Sequence, residues 1–294
     1  GKKRVFVFAG DHGVVKEGVS AYPQEVTMLM VKNFSGGGAA INVLARRAGA
    51  DVEVIDIGVA SDPGNLPGVL RLNVKRGTDN IAVGPAMSID DAVKAVGIGI
   101  ERARHAASQG VNLAATGEMG IGNTTPASAL LAAYLKLPVA DTVGPGTGLD
   151  RKGVANKRKV IARALKVNKK ALKNPLETLA ALGGLEIAGI CGLCLGAASE
   201  RMAVVVDGFI STAGALAAMK MCPAARDYMF FSHMSTEPGH RKFFETVGAS
   251  PILDLGMRLG EGTGAAIAMQ IIEDAVAIFN EMATFQEVGI EPGA

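Results

Sequence analysis

Tryptophan is absent from this 294-residue chain, and aromatic side chains make up only 4% of it. With so few large rings, the interior has to be built from Ala, Gly, Val, Ile and Met, as in tightly packed α/β layers. Cysteine is scarce as well: Cys191, Cys194 and Cys222 are the three present. An odd count in a long chain argues against a disulfide framework, so a reducing compartment, the cytoplasm, is expected. Cys191 and Cys194 have a C-x-x-C spacing, but they lie in an apolar, glycine-rich stretch. No histidine is spaced from them as a zinc site needs. Buried thiols acting as small hydrophobes are expected, with no bound metal. An excess of one charge is also missing, since 30 basic and 28 acidic residues leave +2. No basic stripe or polybasic anchor stands out, which argues against nucleic-acid and membrane partners. No apolar run of 18 residues escapes charge or glycine, so no membrane span is expected, and the apolar run near the start is too short for a signal peptide.

What the chain does have is glycine, 38 residues of it, and short apolar runs that end in glycine-bearing loops. Residues 5–9, 52–57, 111–115, 203–206 and 228–231 read as strands, with 252–255 a shorter candidate. Helical patterns occupy 39–47, 88–109, 127–135, 153–167, 209–220 and 265–285. Uninterrupted apolar strands alternating with helices predict an α/β fold with a doubly wound, mostly parallel, Rossmann-like sheet covered on both faces. Ligands in such sheets sit at the carboxyl ends of the strands, where the motif-bearing loops lie. The basic stretch 152–173 reads as a largely solvated helical face, and the end of the chain, 287–294, as a frayed tail.

Four loops carry candidate chemistry. Gly117-Glu-Met-Gly-Ile-Gly-Asn-Thr-Thr125 follows a strand and opens a helix, the arrangement of an anion site, although an ordinary helix cap has the same composition. It is not a Walker A loop, because no Lys follows its last glycine. Val143-Gly-Pro-Gly-Thr-Gly-Leu-Asp150 precedes a helix carrying Lys152 and Lys157, and reads either as a phosphate-closing loop or as plain surface. In Gly256-Met-Arg-Leu-Gly-Glu-Gly-Thr-Gly264, Glu261 sits at a helix start. The helix dipole would hold it charged and burial would raise its pKa, a balance suited to taking a proton near neutral pH; a carboxylate that merely complements the dipole fits the same pattern. Phe231-Ser-His-Met-Ser-Thr-Glu-Pro-Gly-His240 places Pro238 at a helix start. Its two histidines are not at the helical spacing of a metal pair, and no G-x-S-x-G elbow is present.

Taken together, these stretches resemble the nicotinate-nucleotide–dimethylbenzimidazole phosphoribosyltransferase family over nearly the whole chain. Ala9-Gly-Asp-His-Gly-Val14, Gly18-Val-Ser20 and Gly37-Gly-Ala-Ala-Ile-Asn42 agree with it. The resemblance implies assembly of the cobalamin nucleotide loop: nicotinate mononucleotide and 5,6-dimethylbenzimidazole give α-ribazole 5′-phosphate and nicotinate, with inversion at the anomeric carbon and no cofactor. It implies Glu261 as general base and Glu118 in the same site. Gly120, Gly122, Asn123, Thr124, Thr125, Gly146, Gly148 and Lys157 would hold the nucleotide and its phosphate. Asp207, Gly208, Ser235, Gly262 and Gly264 are expected to line the substrates. It also implies a homodimer, with a catalytic domain over 1–264 and a C-terminal helix, 265–294, joining a small helical lobe built from the chain ends.

Two departures from the family pattern stand out. The family's N-terminal helical segment does not precede Ala9 here, so a reduced lobe, or one completed from outside this sequence, is expected. The stretch Thr27-Met-Leu-Met30 also replaces one that often carries Gln, which predicts looser selectivity among benzimidazoles. Two other classes remain: a silent nucleotide- or base-binding protein of the same fold, and a nicotinamide-dependent oxidoreductase. The second lacks its G-x-G-x-x-G turn after the first strand.

Overall fold

The computed structural model describes residues 1–62 and 64–290. Six strands form one sheet: β1 (Lys2–Gly10), β2 (Ala50–Gly58), β3 (Val69–Arg71), β4 (Val111–Met119), β5 (Ala203–Val206) and β6 (Met229–Phe231). Every pairing is parallel, in the order β3-β2-β1-β4-β5-β6. This is the doubly wound arrangement, and its order reverses between β1 and β4, so a crevice opens at their carboxyl ends.

Strand β1 shows why the apolar runs are unbroken. Phe6 and Phe8 pack into the core on one face of the sheet, while Val5, Val7 and Ala9 pack into the core on the other. Both faces are covered, so both sets of alternate residues are apolar. The first face carries α3 (Ile89–Ser108), α4 (Thr124–Leu135), α6 (Arg151–Val167), α7 (Pro175–Leu182), α8 (Leu185–Ser199) and α9 (Phe209–Met221). The second carries α1 (Glu25–Ser35), α2 (Ala40–Ala48) and the start of α11 (Thr263–Glu281). Short α5 (Val139–Thr142) and α10 (Pro238–Val247) lie beside the loops that follow β4 and β6.

Most expected elements are present with shifted ends. Strand β4 runs four residues past 115, because Thr116-Gly-Glu-Met continues to pair with β1. The 252–255 candidate is reduced to a single bridge between Leu253 and His233. Strand β3 and helices α1, α7 and α8 were not read from the sequence. Helix α8 contains the C-x-x-C stretch, and its glycines serve packing: a Cβ on Gly192 would lie 2.0 Å from the Val96 carbonyl oxygen, and one on Gly99 would lie 2.0 Å from that of Gly189. Helices α3 and α8 therefore meet backbone to backbone. Cys191 and Cys194 are buried there, and burial pushes the Cys194 thiol up to about 12.

Helix α11 begins packed against the second face of the sheet. Ala265, Ala266, Ala268 and Met269 pack with Val5, Val7 and Val205, whereas Val276, Ile278, Phe279 and Met282 are exposed. Beyond it the chain turns through Thr284–Glu287 hydrogen bonds; residues 291–294 of the expected tail lie outside the described residues. Among the described residues, no helix is long and apolar enough to cross a membrane, and no group of three metal-ligating side chains assembles.

Candidate active site

A cavity of about 400 Å³ opens at the switch point between β1 and β4. Its walls come from the loops after β4, β5 and β6, from the segment before α11, and from α1. That volume falls in the range of small-molecule sites. A wider groove at the far end of the strands is lined by Arg4, Glu53 and Arg102, whose charges already pair with one another.

Glu261 lies on the cavity wall and is 7% exposed. Its backbone is left-handed, with φ of 63°, between Gly260 at 83° and Gly262 at 95°. The loop needs these glycines because it crosses β4 at close quarters: a Cβ on Gly117 would lie 2.5 Å from the Glu261 carbonyl oxygen. The side chain is held by a helix other than the one it precedes. Helix α2 has Ala39 at its cap, with no side-chain acceptor to offer, and the Ile41 N–H donates to Glu261 Oε2 at 3.1 Å. Glu261 thus serves as the missing cap acceptor of α2, and that helix's dipole steadies the carboxylate. Burial raises its pKa, the Ile41 N–H opposes the rise, and the charge of Asp207 adds to it.

Glu118, at the end of β4, shares the cavity. Asn123 Nδ2 donates to Glu118 Oε2 at 2.5 Å, and a Cβ on Gly260 would lie 2.5 Å from Oε1, so this carboxyl faces the Glu261 loop. Burial drives its pKa up to about 8 against the Asn123 hydrogen bond, aided by the negative charges of Asp207, Glu186 and Glu261. Near neutral pH the pair therefore divides its roles: Glu118 keeps its proton, and Glu261 is the one able to accept another. Burial is the main cause of the difference, and the nearby negative charges add to it.

Asp207, after β5, lies behind the wall. It accepts from the Gly262 N–H at 3.2 Å and from the Ala265 N–H at 3.0 Å, which fixes the Glu261 loop to the sheet. His233 is wedged next to it: a Cβ on Gly264 would lie 2.1 Å from His233 Nδ1, and one on Gly208 would lie 3.1 Å from Cε1. His240 accepts the Ser235 N–H at Nδ1, so its proton sits on Nε2 and faces Thr212 Oγ1 at 3.0 Å. Burial lowers its pKa to about 3, and it is a neutral structural group.

The opposite end of the cavity holds a buried cation. Lys157 is fully buried, and its Nζ donates to Thr124 Oγ1 at 2.6 Å. Burial lowers its pKa to about 8, with Glu237 opposing. A Cβ on Gly146 would stand 2.8 Å from Thr124 Oγ1 and 3.2 Å from Lys157 Nζ, so loop, hydroxyl and ammonium converge. Lys157 is an exception to the solvated face expected of 152–173; its neighbours Arg158 and Lys159 are exposed.

The structure brings Glu118, Gly120, Asn123, Thr124, Gly146, Gly208, Ser235 and Glu261 to one cavity. Lys157 reaches it through Thr124. Asp207, Gly262 and Gly264 stand behind Glu261 as its support, and Gly122 and Thr125 are buried below the surface of the loop. Gly148 is exposed and does not border the cavity. Sequence reasoning pointed to the stretch that holds Met30 but missed the rest of the apolar wall, Tyr22, Val26, Phe209 and Ile210. Val26 and Met30 are four residues apart, a helical signal on α1 that was there to be read. It also missed Glu186, whose Oε1 pairs with His12 Nε2 at 2.7 Å below Gly120. The charge of a buried His12 is disfavoured by burial, but Glu186 and Asp11 override that and raise its pKa.

The Phosphoribosyltransferase family model matches residues 1–290. The chain belongs to the phosphoribosyltransferase family. It is 59% identical over 289 residues, 98% of this chain and 82% of the relative, to a nicotinate-nucleotide–dimethylbenzimidazole phosphoribosyltransferase of Chlorobaculum tepidum. It is 56% identical over 292 residues, 99% of this chain and 83% of the relative, to the protein of that name from Geobacter sulfurreducens. The crystal structure of CobT from Thermus thermophilus superposes with a TM-score of 0.94 at 48% identity, covering 100% of this chain and 87% of that one. A phosphoribosyltransferase has to grip a phosphate while leaving an anomeric carbon open to a nucleophile. The cavity has a cationic end at Lys157 and a carboxylate end at Glu261, with an apolar wall from α1 and α9 beside them.

Proposed function

We propose that the chain transfers the phosphoribosyl group of nicotinate mononucleotide to 5,6-dimethylbenzimidazole or a related base, releasing nicotinate and forming α-ribazole 5′-phosphate. The observation that carries this reading is the pairing of two buried carboxylates of unequal acidity with an anion grip in one cavity. Relatives bearing that enzyme name at 56–59% identity support the choice of substrates.

The chemistry matches the residues. Nicotinate leaves as a neutral pyridine when its bond to C1′ breaks, because in the nucleotide it is a pyridinium. Its departure needs no general acid. The incoming benzimidazole gains positive charge as its nitrogen bonds to C1′, and loss of the proton from its other nitrogen removes that charge. Glu261, with its raised pKa, takes that proton. Attack from the face opposite the leaving group converts the β anomer to the α anomer. Glu118, protonated, donates or accepts a hydrogen bond without adding a second full charge. Tyr22, Val26, Met30 and Ile210 offer the apolar surface on which a flat bicyclic base packs. Lys157, Thr124 and Gly146 take the phosphate, so that binding energy away from the reacting carbon goes into positioning.

The same reading includes a homodimer, in which the exposed Val276, Ile278 and Phe279 of α11, with Met282 just past its end, pack against a second copy or its small helical lobe. Incubation with nicotinate mononucleotide and dimethylbenzimidazole, followed by chromatography for free nicotinate, tests the activity. Folded protein that binds the nucleotide yet releases no nicotinate would favour the silent binding protein instead.

A further inference from the structure

Glu237 occupies an unusual position at the anion end. It caps α10 and reaches across to the glycine loop, where the Gly146 N–H donates to its Oε1 at 2.8 Å. It is 6% exposed, and its second oxygen, Oε2, is buried with no hydrogen-bond partner. Oε2 lies 2.4 Å from where a Cβ on Gly144 would stand, so the carboxylate is pressed into the loop. Lys157 has no carboxylate within 4 Å among the described residues, and Glu237 is the acidic group whose charge supports its protonation. Glu237 thus does in the ligand-free protein what a bound phosphate would do: it accepts a loop N–H and offsets a buried ammonium.

Glu237 is also a partition. It lines the catalytic cavity on one side and, on the other, a second groove of about 420 Å³ that contains Arg158 and Arg241 together with Asp141 and the paired Lys242 and Glu245. A carboxylate leaving the glycine loop therefore has cations to turn to. A phosphate dianion arriving beside Lys157 meets an anion already in place, and two such charges in a poorly solvated pocket repel strongly.

The geometry points to Glu237 as an internal anion that holds the phosphate end of the cavity until substrate arrives, then yields the Gly146 N–H to the phosphate and turns toward Arg158 and Arg241. Glu237 then sets a threshold on which donors bind. A nucleotide phosphate displaces it, whereas an uncharged nucleoside leaves it seated and gains nothing from Lys157. This inference rests on the phosphate placement of the function proposed above.

Titration calorimetry with inorganic phosphate, and separately with nicotinate mononucleotide, tests it on the whole chain. Glu237→Gln keeps the acceptor for Gly146 and removes the charge, and is expected to bind phosphate about tenfold more tightly than wild type, since repulsion is lost. Arg241→Gln alters an exposed side chain outside the cavity and is expected to weaken phosphate binding several-fold. In the double variant that weakening shrinks, because no carboxylate is left to receive. Unchanged or weaker phosphate binding by folded Glu237→Gln overturns the inference, and so does an equal effect of Arg241→Gln in both backgrounds. Should Glu237→Gln not fold, Arg241→Gln alone decides, with unchanged binding counting against the inference. Nicotinate release by wild type is read in parallel. Its absence, with tighter phosphate binding in Glu237→Gln, removes the donor reading and leaves the displaced carboxylate standing.

Discussion

Replacing Glu118 by Gln should stabilise the protein increasingly as the pH rises from about 5 to about 7. Glu118 is 7% exposed, and burial is the main cause that lifts its pKa from 4.5 to about 8. In the unfolded chain the group ionises near its ordinary value. Between those two values the folded protein keeps a proton that the unfolded chain has released, so raising the pH through this window favours unfolding. At about 1.4 kcal/mol per pH unit, less the incomplete ionisation of the unfolded chain near pH 5, Glu118 costs the wild type about 2 to 3 kcal/mol across that range. Gln has nearly the same shape, still accepts from Asn123 Nδ2, and has no proton to lose. Urea unfolding of both proteins at matched pH values gives the quantity needed, the difference between them, because every other titrating group is common to both. A gap that stays constant with pH would mean that Glu118 ionises normally when folded, and the division of roles between the two carboxylates would have to be abandoned.

Glu261→Gln should keep the Ile41 hydrogen bond and nucleotide affinity while turnover falls roughly 10²–10⁴-fold, measured as nicotinate release; unchanged turnover would rule out the general base. For the same reason, wild-type kcat/KM should fall as the pH is lowered through the raised pKa of Glu261, and that limb should move to lower pH in Asp207→Asn, which removes a neighbouring negative charge. Lys157→Met should raise the KM for nicotinate mononucleotide about ten- to hundredfold, the worth of a charged hydrogen bond, and make the ligand-free protein less resistant to urea, because the buried Glu237 carboxylate loses the ammonium that offsets it. Benzimidazole, dimethylbenzimidazole and adenine should turn over at comparable rates if Met30 leaves the base loosely oriented, and strict preference for one of them would contradict that.

The parts of this fold that were legible in the sequence are those whose cause is local. Residues 5–9 of β1 and all of β5 are apolar because both faces are covered, and nothing nearby interrupts them. The loop glycines around Glu261 were visible because three occur within five residues; positive φ values explain Gly260 and Gly262, and the His233 ring against Gly264 explains the third. Helix α8 was hidden because Gly189, Gly192 and Gly196 look like breakers until α3 is laid against them. Gly117 disguised the end of β4 for a similar reason, the approach of a loop more than 140 residues away. Glu186 and Glu237 gave little local signal. One lies in a helix that was not recognised, and the other stands where a helix start was expected, with its reach to Gly146 set by tertiary packing.

Glu261 shows how such distant causes combine at one residue. A left-handed backbone costs a non-glycine residue about 1 to 2 kcal/mol, and such a conformation persists where surrounding contacts over-determine it. Here Asp207 holds the loop through two N–H groups, Gly117 admits its carbonyl against β4, and α2 supplies the N–H that meets the side chain. Two hydrogen bonds to Asp207, at about 0.5 to 1.5 kcal/mol each, are of the size that offsets the strain. The anchors come from the end of β5, from β4 and from α2, so the carboxylate cannot drift without disturbing the sheet and the helix layer on its second face. On the proposed mechanism the base is therefore in position before any substrate enters, which would leave the energy of gripping the phosphate to orient the ribose and to dislodge Glu237.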